Sequence, residues 1–65
     1  MMTFKVEGMT CGHCIDAVTR ALRALDPSAQ VQIDLGNGVV RAEGLFSEEQ
    51  AAQAIRAEGY SVAVV

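Results

Sequence analysis

Both cysteines of this 65-residue chain, and its one histidine, stand together in Cys11-Gly12-His13-Cys14. Two thiols separated by two residues can converge on one soft cation when the chain between them turns sharply, and Gly12 eases such a turn. The same pair could cycle between dithiol and disulfide. The stretch Gly8-Met9-Thr10-Cys11-Gly12-His13-Cys14 therefore reads as a metal-gripping loop, with redox work as the rival chemistry, and its surroundings must decide between them.

Those surroundings begin with a strand. From Thr3 to Glu7 the residues alternate, Phe4 and Val6 on one face and Thr3, Lys5 and Glu7 on the other, which is the period of a half-buried strand. Gly8 breaks it. Past the cysteines, Ile15, Val18, Leu22 and Leu25 recur at helical spacing while Asp16, Arg20 and Arg23 fall opposite, so an amphipathic helix is expected. Asp16 lies one turn before Arg20, and both arginines stand toward the C-terminal end, as the helix dipole favours. Asp26-Pro27 ends the helix, because the residue before a proline is pushed out of helical geometry. Cys14 thus falls in the first turn, where the partial positive charge of the helix end favours thiolate over thiol. A metal site and a redox enzyme both need that thiolate, so the acid–base chemistry alone separates neither.

Alternation returns from Gln30 to Leu35, with Val31, Ile33 and Leu35 inward. Gly36-Asn37-Gly38 then supplies the Asn-Gly signal of a hairpin, and Val39 to Glu43 is the partner strand, closed by Gly44. Ser47-Glu48-Glu49-Gln50 forms a capping box with Phe46 in the staple position. It opens a second helix running from Glu48 to about Glu58, with Ala51 and Ile55 inward and Gly59 as its left-handed C-terminal cap. Tyr60, Val62 and Val64 alternate in a last strand. The fold class is α+β, a ferredoxin-like βαββαβ chain with a four-stranded antiparallel sheet and two helices on one face. Right-handed crossovers would bring the cysteine loop, the Gly36-Asn37-Gly38 hairpin and the Gly59-Tyr60 junction to one end of the sheet.

Residues 1–65 hold no linker, repeat or low-complexity segment and read as a single domain. A chain of this size buries only about 60% of its unfolded surface. Hydrophobic residues make up 51% of it and charged residues 20%, which is globular and not disordered. The net charge of −3, with no run of Lys or Arg, argues against a nucleic-acid binder and suits a partner with a basic docking face. Met1 to Glu7 lacks the basic and apolar regions of a signal peptide, so a cytoplasmic location is expected. No run is apolar for long enough to insert directly into a membrane. In a reducing compartment two cysteines this close serve a metal or a redox cycle more readily than they staple a fold.

Gly8-Met9-Thr10-Cys11-x-x-Cys14, followed by an amphipathic helix in a chain of this length and strand order, resembles the heavy-metal-associated domain family, and most closely its free-standing bacterial copper chaperones. The resemblance covers nearly the whole chain and matches every fixed position of the family signature. It implies that residues 1–65 form one such domain and that it carries Cu(I) between the thiolates of Cys11 and Cys14 in near-linear geometry. It also implies that the copper passes by ligand exchange to a similar domain of a copper-transporting P-type ATPase, and that the chain is not an enzyme. Residue chemistry agrees. Cu(I) is soft and accepts few ligands, whereas zinc usually completes a tetrahedron and two cysteines with one histidine leave it short.

The remaining site neighbours are Met9, Thr10, Gly12, His13 and Tyr60. Met9 could offer a thioether to the metal, but strand alternation carried through Gly8 favours packing beneath the loop. His13 could be a third ligand, support a copper-bridged homodimer or tune a thiolate. Its plainer role is a solvent-facing residue of the first helical turn. Tyr60 stands where many bacterial members of the family have tyrosine and eukaryotic ones lysine. Its phenol could donate to a thiolate, or it could be a core residue opening the last strand. Cys11, on the loop, is expected to be the more exposed thiol, and Cys14 the one with the more depressed pKa. The rival functions are a small thiol–disulfide enzyme, a carrier of Hg(II), Zn(II) or Cd(II), and a metal sensor or a module of an ATPase. Thr10 before the first cysteine, where zinc and cadmium members tend to carry an acidic residue, favours copper.

Overall fold

The computed structural model describes residues 1–9 and 12–64. The first strand, β1 (Met2–Glu7), divides its side chains as the alternation requires: Phe4 and Val6 are buried, Lys5 and Glu7 exposed. The chain then passes through the helix α1 (Gly12–Leu25), the hairpin strands β2 (Gln30–Asp34) and β3 (Val39–Glu43), the helix α2 (Glu48–Ala57), and β4 (Ser61–Val64). The four strands form one antiparallel sheet in the order β2-β3-β1-β4. This is the expected ferredoxin-like arrangement.

The central pair β1 and β3 carries the apolar centre of the sheet, with Phe4 opposite Val40 and Met2 opposite Ala42. Against it pack Val18 and Leu22 of α1 and Ala51, Ala52 and Ile55 of α2, all fully buried. Alanines at adjacent positions of α2 leave room for α1 to approach closely. The apolar stripe of α1 is shorter than its periodicity suggested. Ile15 is half-buried and Leu25, in the last turn, is 41% exposed, because a helical period gives a side chain its direction but supplies no neighbour at the helix end.

Three local signals hold with identifiable bonds. Asp26-Pro27 stops α1, the Asp26 amide making a last bond to the Leu22 carbonyl at 3.2 Å. The capping box of α2 is reciprocal: the Gln50 amide donates to Ser47 Oγ at 3.1 Å and the Ser47 amide to Gln50 Oε1 at 2.8 Å. Gly59, following the C-cap Glu58, has φ of +97°. The hairpin differs in detail. β2 ends at Asp34 rather than Leu35, and residues 35–38 form the loop. The Gly38 amide closes the turn on the Leu35 carbonyl at 3.3 Å. The Asp34 carboxylate braces it, accepting from the Asn37 amide at 3.2 Å and from Asn37 Nδ2 at 2.9 Å. Of the Asn-Gly pair, Gly38 alone takes a positive φ, +64°.

Candidate metal centre

Strand register decides what stands near the cysteine loop. Lys5 lies opposite Val39 and Glu7 opposite Ser61, so the 35–38 hairpin and the Gly59-Tyr60 junction both flank the end of β1 that runs into the loop. The hairpin and the Gly59-Tyr60 junction are thus at the expected end of the sheet. The hairpin is held against β1 from two sides. The Val6 amide donates to the Gly38 carbonyl at 2.7 Å, and the Lys5 ammonium donates to the Asn37 carbonyl. A Cβ on Gly38 would lie 2.8 Å from the Val6 carbonyl oxygen, so only glycine permits this approach.

At the end of β1 the chain turns through Gly8, whose φ is +98°. Met9 then drops into the core cluster at 8% exposure, as alternation through Gly8 predicted. Thr10 and Cys11 lie outside the described residues, and with them the expected exposure of Cys11 and the separation of the two sulfurs. Gly12 opens α1 with open space where a side chain would start. His13 is exposed, as a first-turn solvent residue would be. Cys14 is the third helical residue and is 8% exposed, part of the same cluster as Met9.

The first turn of α1 contains no acidic side chain. The positive end of the helix is therefore not offset by a carboxylate of its own, and an anion formed at Cys14 is the charge best placed to meet it. The floor below is apolar. Met9, Cys14, Val6 and Phe4 belong to one buried cluster, Tyr60 and Val62 pack against it half-buried, and none of the described buried residues is charged or polar. Tyr60 also borders the entry to the loop, its Cδ1 lying 3.4 Å from where a Gly8 Cβ would be. Among the described residues, no group of three or more His, Cys, Asp and Glu side chains is placed to hold a metal ion. His13 and Cys14 thus have no carboxylate joining them in a cage of the kind zinc favours.

The Val6–Gly38 and Lys5–Asn37 contacts escaped the sequence reading. Gly38 carried a signal for a turn, and nothing in its neighbourhood along the chain announced that its backbone would abut β1.

The arrangement is that of small ferredoxin-like domains whose first strand is followed by a helix with a cysteine in its first turn, packed against an apolar core. The model of the heavy-metal-associated domain matches residues 3–61, and the chain belongs to that family. It is 42% identical over 60 residues to the copper chaperone CopZ of Staphylococcus haemolyticus, the alignment covering 88% of each chain. Among solved structures it is similar to the copper chaperone Atx1 from Synechocystis PCC6803, with a TM-score of 0.93 and 33% identity over 97% of this chain and all of that one. A gold-binding protein matches with a TM-score of 0.92 and 32% identity, both chains being covered completely.

Proposed function

We propose that the protein is a copper chaperone that holds Cu(I) between the thiolates of Cys11 and Cys14 and surrenders it by thiolate exchange to the metal-binding domain of a copper-transporting P-type ATPase. The observation that carries this reading is the position of Cys14, in the first turn of α1, in one buried cluster with Met9 and with no competing carboxylate in that turn. The copper chaperones among the relatives support the choice of cargo. The gold-binding relative fits the same preference for a soft cation.

Transfer needs no oxidation or reduction. A thiolate of the acceptor adds to Cu(I), one carrier thiolate leaves, and repetition moves the ion while both cysteines return as a thiolate or thiol pair. A low-coordinate site suits this sequence, because the incoming sulfur displaces a ligand without dismantling a protein cage. The reading makes the chain a carrier and not an enzyme, working in the cytoplasm. No helix among the described residues is long and apolar enough to cross a membrane.

An anaerobic titration of the reduced protein with Cu(I) against a competing chelator, repeated with Zn(II), tests the reading. The expected result is one tightly held copper per chain, or per copper-bridged pair, with zinc far weaker. Cys11→Ser and Cys14→Ser should each lose tight binding while circular dichroism stays native. Tight binding retained by either variant, or copper held no more firmly than zinc, would overturn it. In the second case mercury binding and disulfide-reductase assays would identify the rival.

A further inference from the structure

The sequence holds one asparagine, Asn37, and Gly38 follows it. Asparagine is among the thermally labile residues, because the backbone nitrogen of the next residue can attack its side-chain carbonyl carbon and close a five-membered ring. Glycine in that next place has no Cβ to crowd the approach. Here the pair lies in the 35–38 hairpin loop, and Asn37 is exposed to the water that must reopen the ring.

The surrounding bonds oppose the attack at both reacting groups. The nucleophile is the Gly38 nitrogen, which must give up its proton. Its N–H donates to the Leu35 carbonyl at 3.3 Å, at the long end for such a bond. The electrophile is the Asn37 side-chain amide, whose Nδ2 donates to Asp34 Oδ2 at 2.9 Å, while the Asn37 backbone amide donates to Asp34 Oδ1 at 3.2 Å. A carboxylate accepting from that nitrogen leaves the adjoining carbonyl carbon richer in electrons and ties the side chain to residue 34, against the swing that ring closure needs. The Lys5 ammonium holds the Asn37 main-chain carbonyl, outside the reacting amide.

We propose that Asn37 is a site of spontaneous deamidation and that the Asp34 carboxylate is the clamp that sets its rate in the folded chain. The Gly38 nitrogen loses its proton and bonds to the Asn37 side-chain carbon, the side-chain nitrogen leaves as ammonia, and water opens the resulting succinimide. Opening at one carbonyl gives aspartate. Opening at the other gives isoaspartate, in which the main chain runs through the former side chain and is one carbon longer. Nothing is oxidised or reduced, and water is the co-reactant. Either product exchanges a neutral amide for a carboxylate close to that of Asp34. The isoaspartyl form also displaces Gly38, whose carbonyl accepts from the Val6 amide at 2.7 Å and which has no space toward β1 even for a Cβ. Deamidation therefore loosens the hairpin from β1. The reaction involves neither the cysteines nor a metal.

Incubation of the reduced, metal-free protein at mildly alkaline pH, followed by intact mass and peptide mapping, tests the proposal. The parent chain should gain the mass of an amide-to-acid exchange at Asn37, and more slowly when folded than in denaturant, a comparison that needs no variant. Asp34→Ala, at an exposed position, should speed the reaction of the folded protein about tenfold or more, the effect of losing a bond to a charged group, and leave the rate in denaturant unchanged. In the isoaspartyl fraction, separated by its added charge, the Val6 amide should exchange with solvent faster than in fresh protein. A folded parent that deamidates as fast as the denatured chain, a folded Asp34→Ala protein no faster than the parent, a mass gain that maps to the glutamines, or a Val6 amide equally protected in the isoaspartyl fraction would each overturn it.

Discussion

Gly8 and Tyr60 meet across the end of the sheet, an added Cβ on Gly8 falling 3.4 Å from Tyr60 Cδ1 while the Gly8 backbone sits at φ +98°. The spacing is ordinary van der Waals contact, so the constraint is in the backbone. Gly8→Ala should therefore destabilise the protein by about 1–3 kcal/mol, the usual cost of a side chain in a sparsely populated backbone region. The turn also delivers Met9 to the core, two residues before Cys11 in the sequence, so on the proposed reading Cu(I) affinity should fall with stability. Denaturant unfolding and the chelator competition measure the two. An unchanged midpoint would mean that the turn relaxes freely.

Met9 is buried with Cys14 in the core cluster. If its work is packing, Met9→Leu, which nearly conserves volume, should cost less than about 1.5 kcal/mol and leave Cu(I) affinity essentially intact. Met9→Ala should cost about 2–5 kcal/mol through the cavity it leaves. A leucine variant that folds normally and binds copper much more weakly would make the thioether a ligand.

Asp26 and Asp34 set the expected response to acid. Asp26 accepts from the Leu45 amide at 2.9 Å and the Ser28 amide at 3.0 Å, and these bonds, Leu45 first, hold its carboxyl below the ordinary value. Asp34 is lowered chiefly by the Asn37 side-chain amide and next by the Asn37 backbone. A group whose folded pKa is depressed contributes stability above its unfolded pKa, about 3.9 for aspartate, and that contribution is lost as pH falls through the folded value. Stability should thus be flat down to about pH 4 with respect to these two groups and decline below it. Asp26→Asn should make the acid decline shallower while leaving that of Asp34. Denaturant midpoints measured at descending pH check this, and an unchanged slope would remove Asp26 from the account.

Much of the fold was legible because its signals are local. The capping box Ser47-Gln50, the stop at Asp26-Pro27 and the left-handed Gly59 each depend on residues within one turn of each other, and each appears with the expected bonds. The hairpin was legible in kind but not in length. Asn37-Gly38 marked the turn, but that β2 ends at Asp34, whose side chain braces the turn through Asn37, was not marked. At the candidate site, the burial of Met9 and the exposure of His13 followed from the periods of strand and helix.

The sequence by itself determined the order of the elements, the apolar face of each, and the placing of Cys14 in a helical first turn, because periodicity and capping are properties of neighbouring residues. Strand order with right-handed crossovers also placed Tyr60 at the end of the sheet where it stands beside Gly8. Only the tertiary structure decided that the Gly38 backbone abuts Val6, that Leu25 is left half uncovered, and that Arg56 reaches the edge of β4. Those relationships join residues of different elements. They arise from strand register and from where each helix runs out of neighbours, and no local pattern along the chain encodes either.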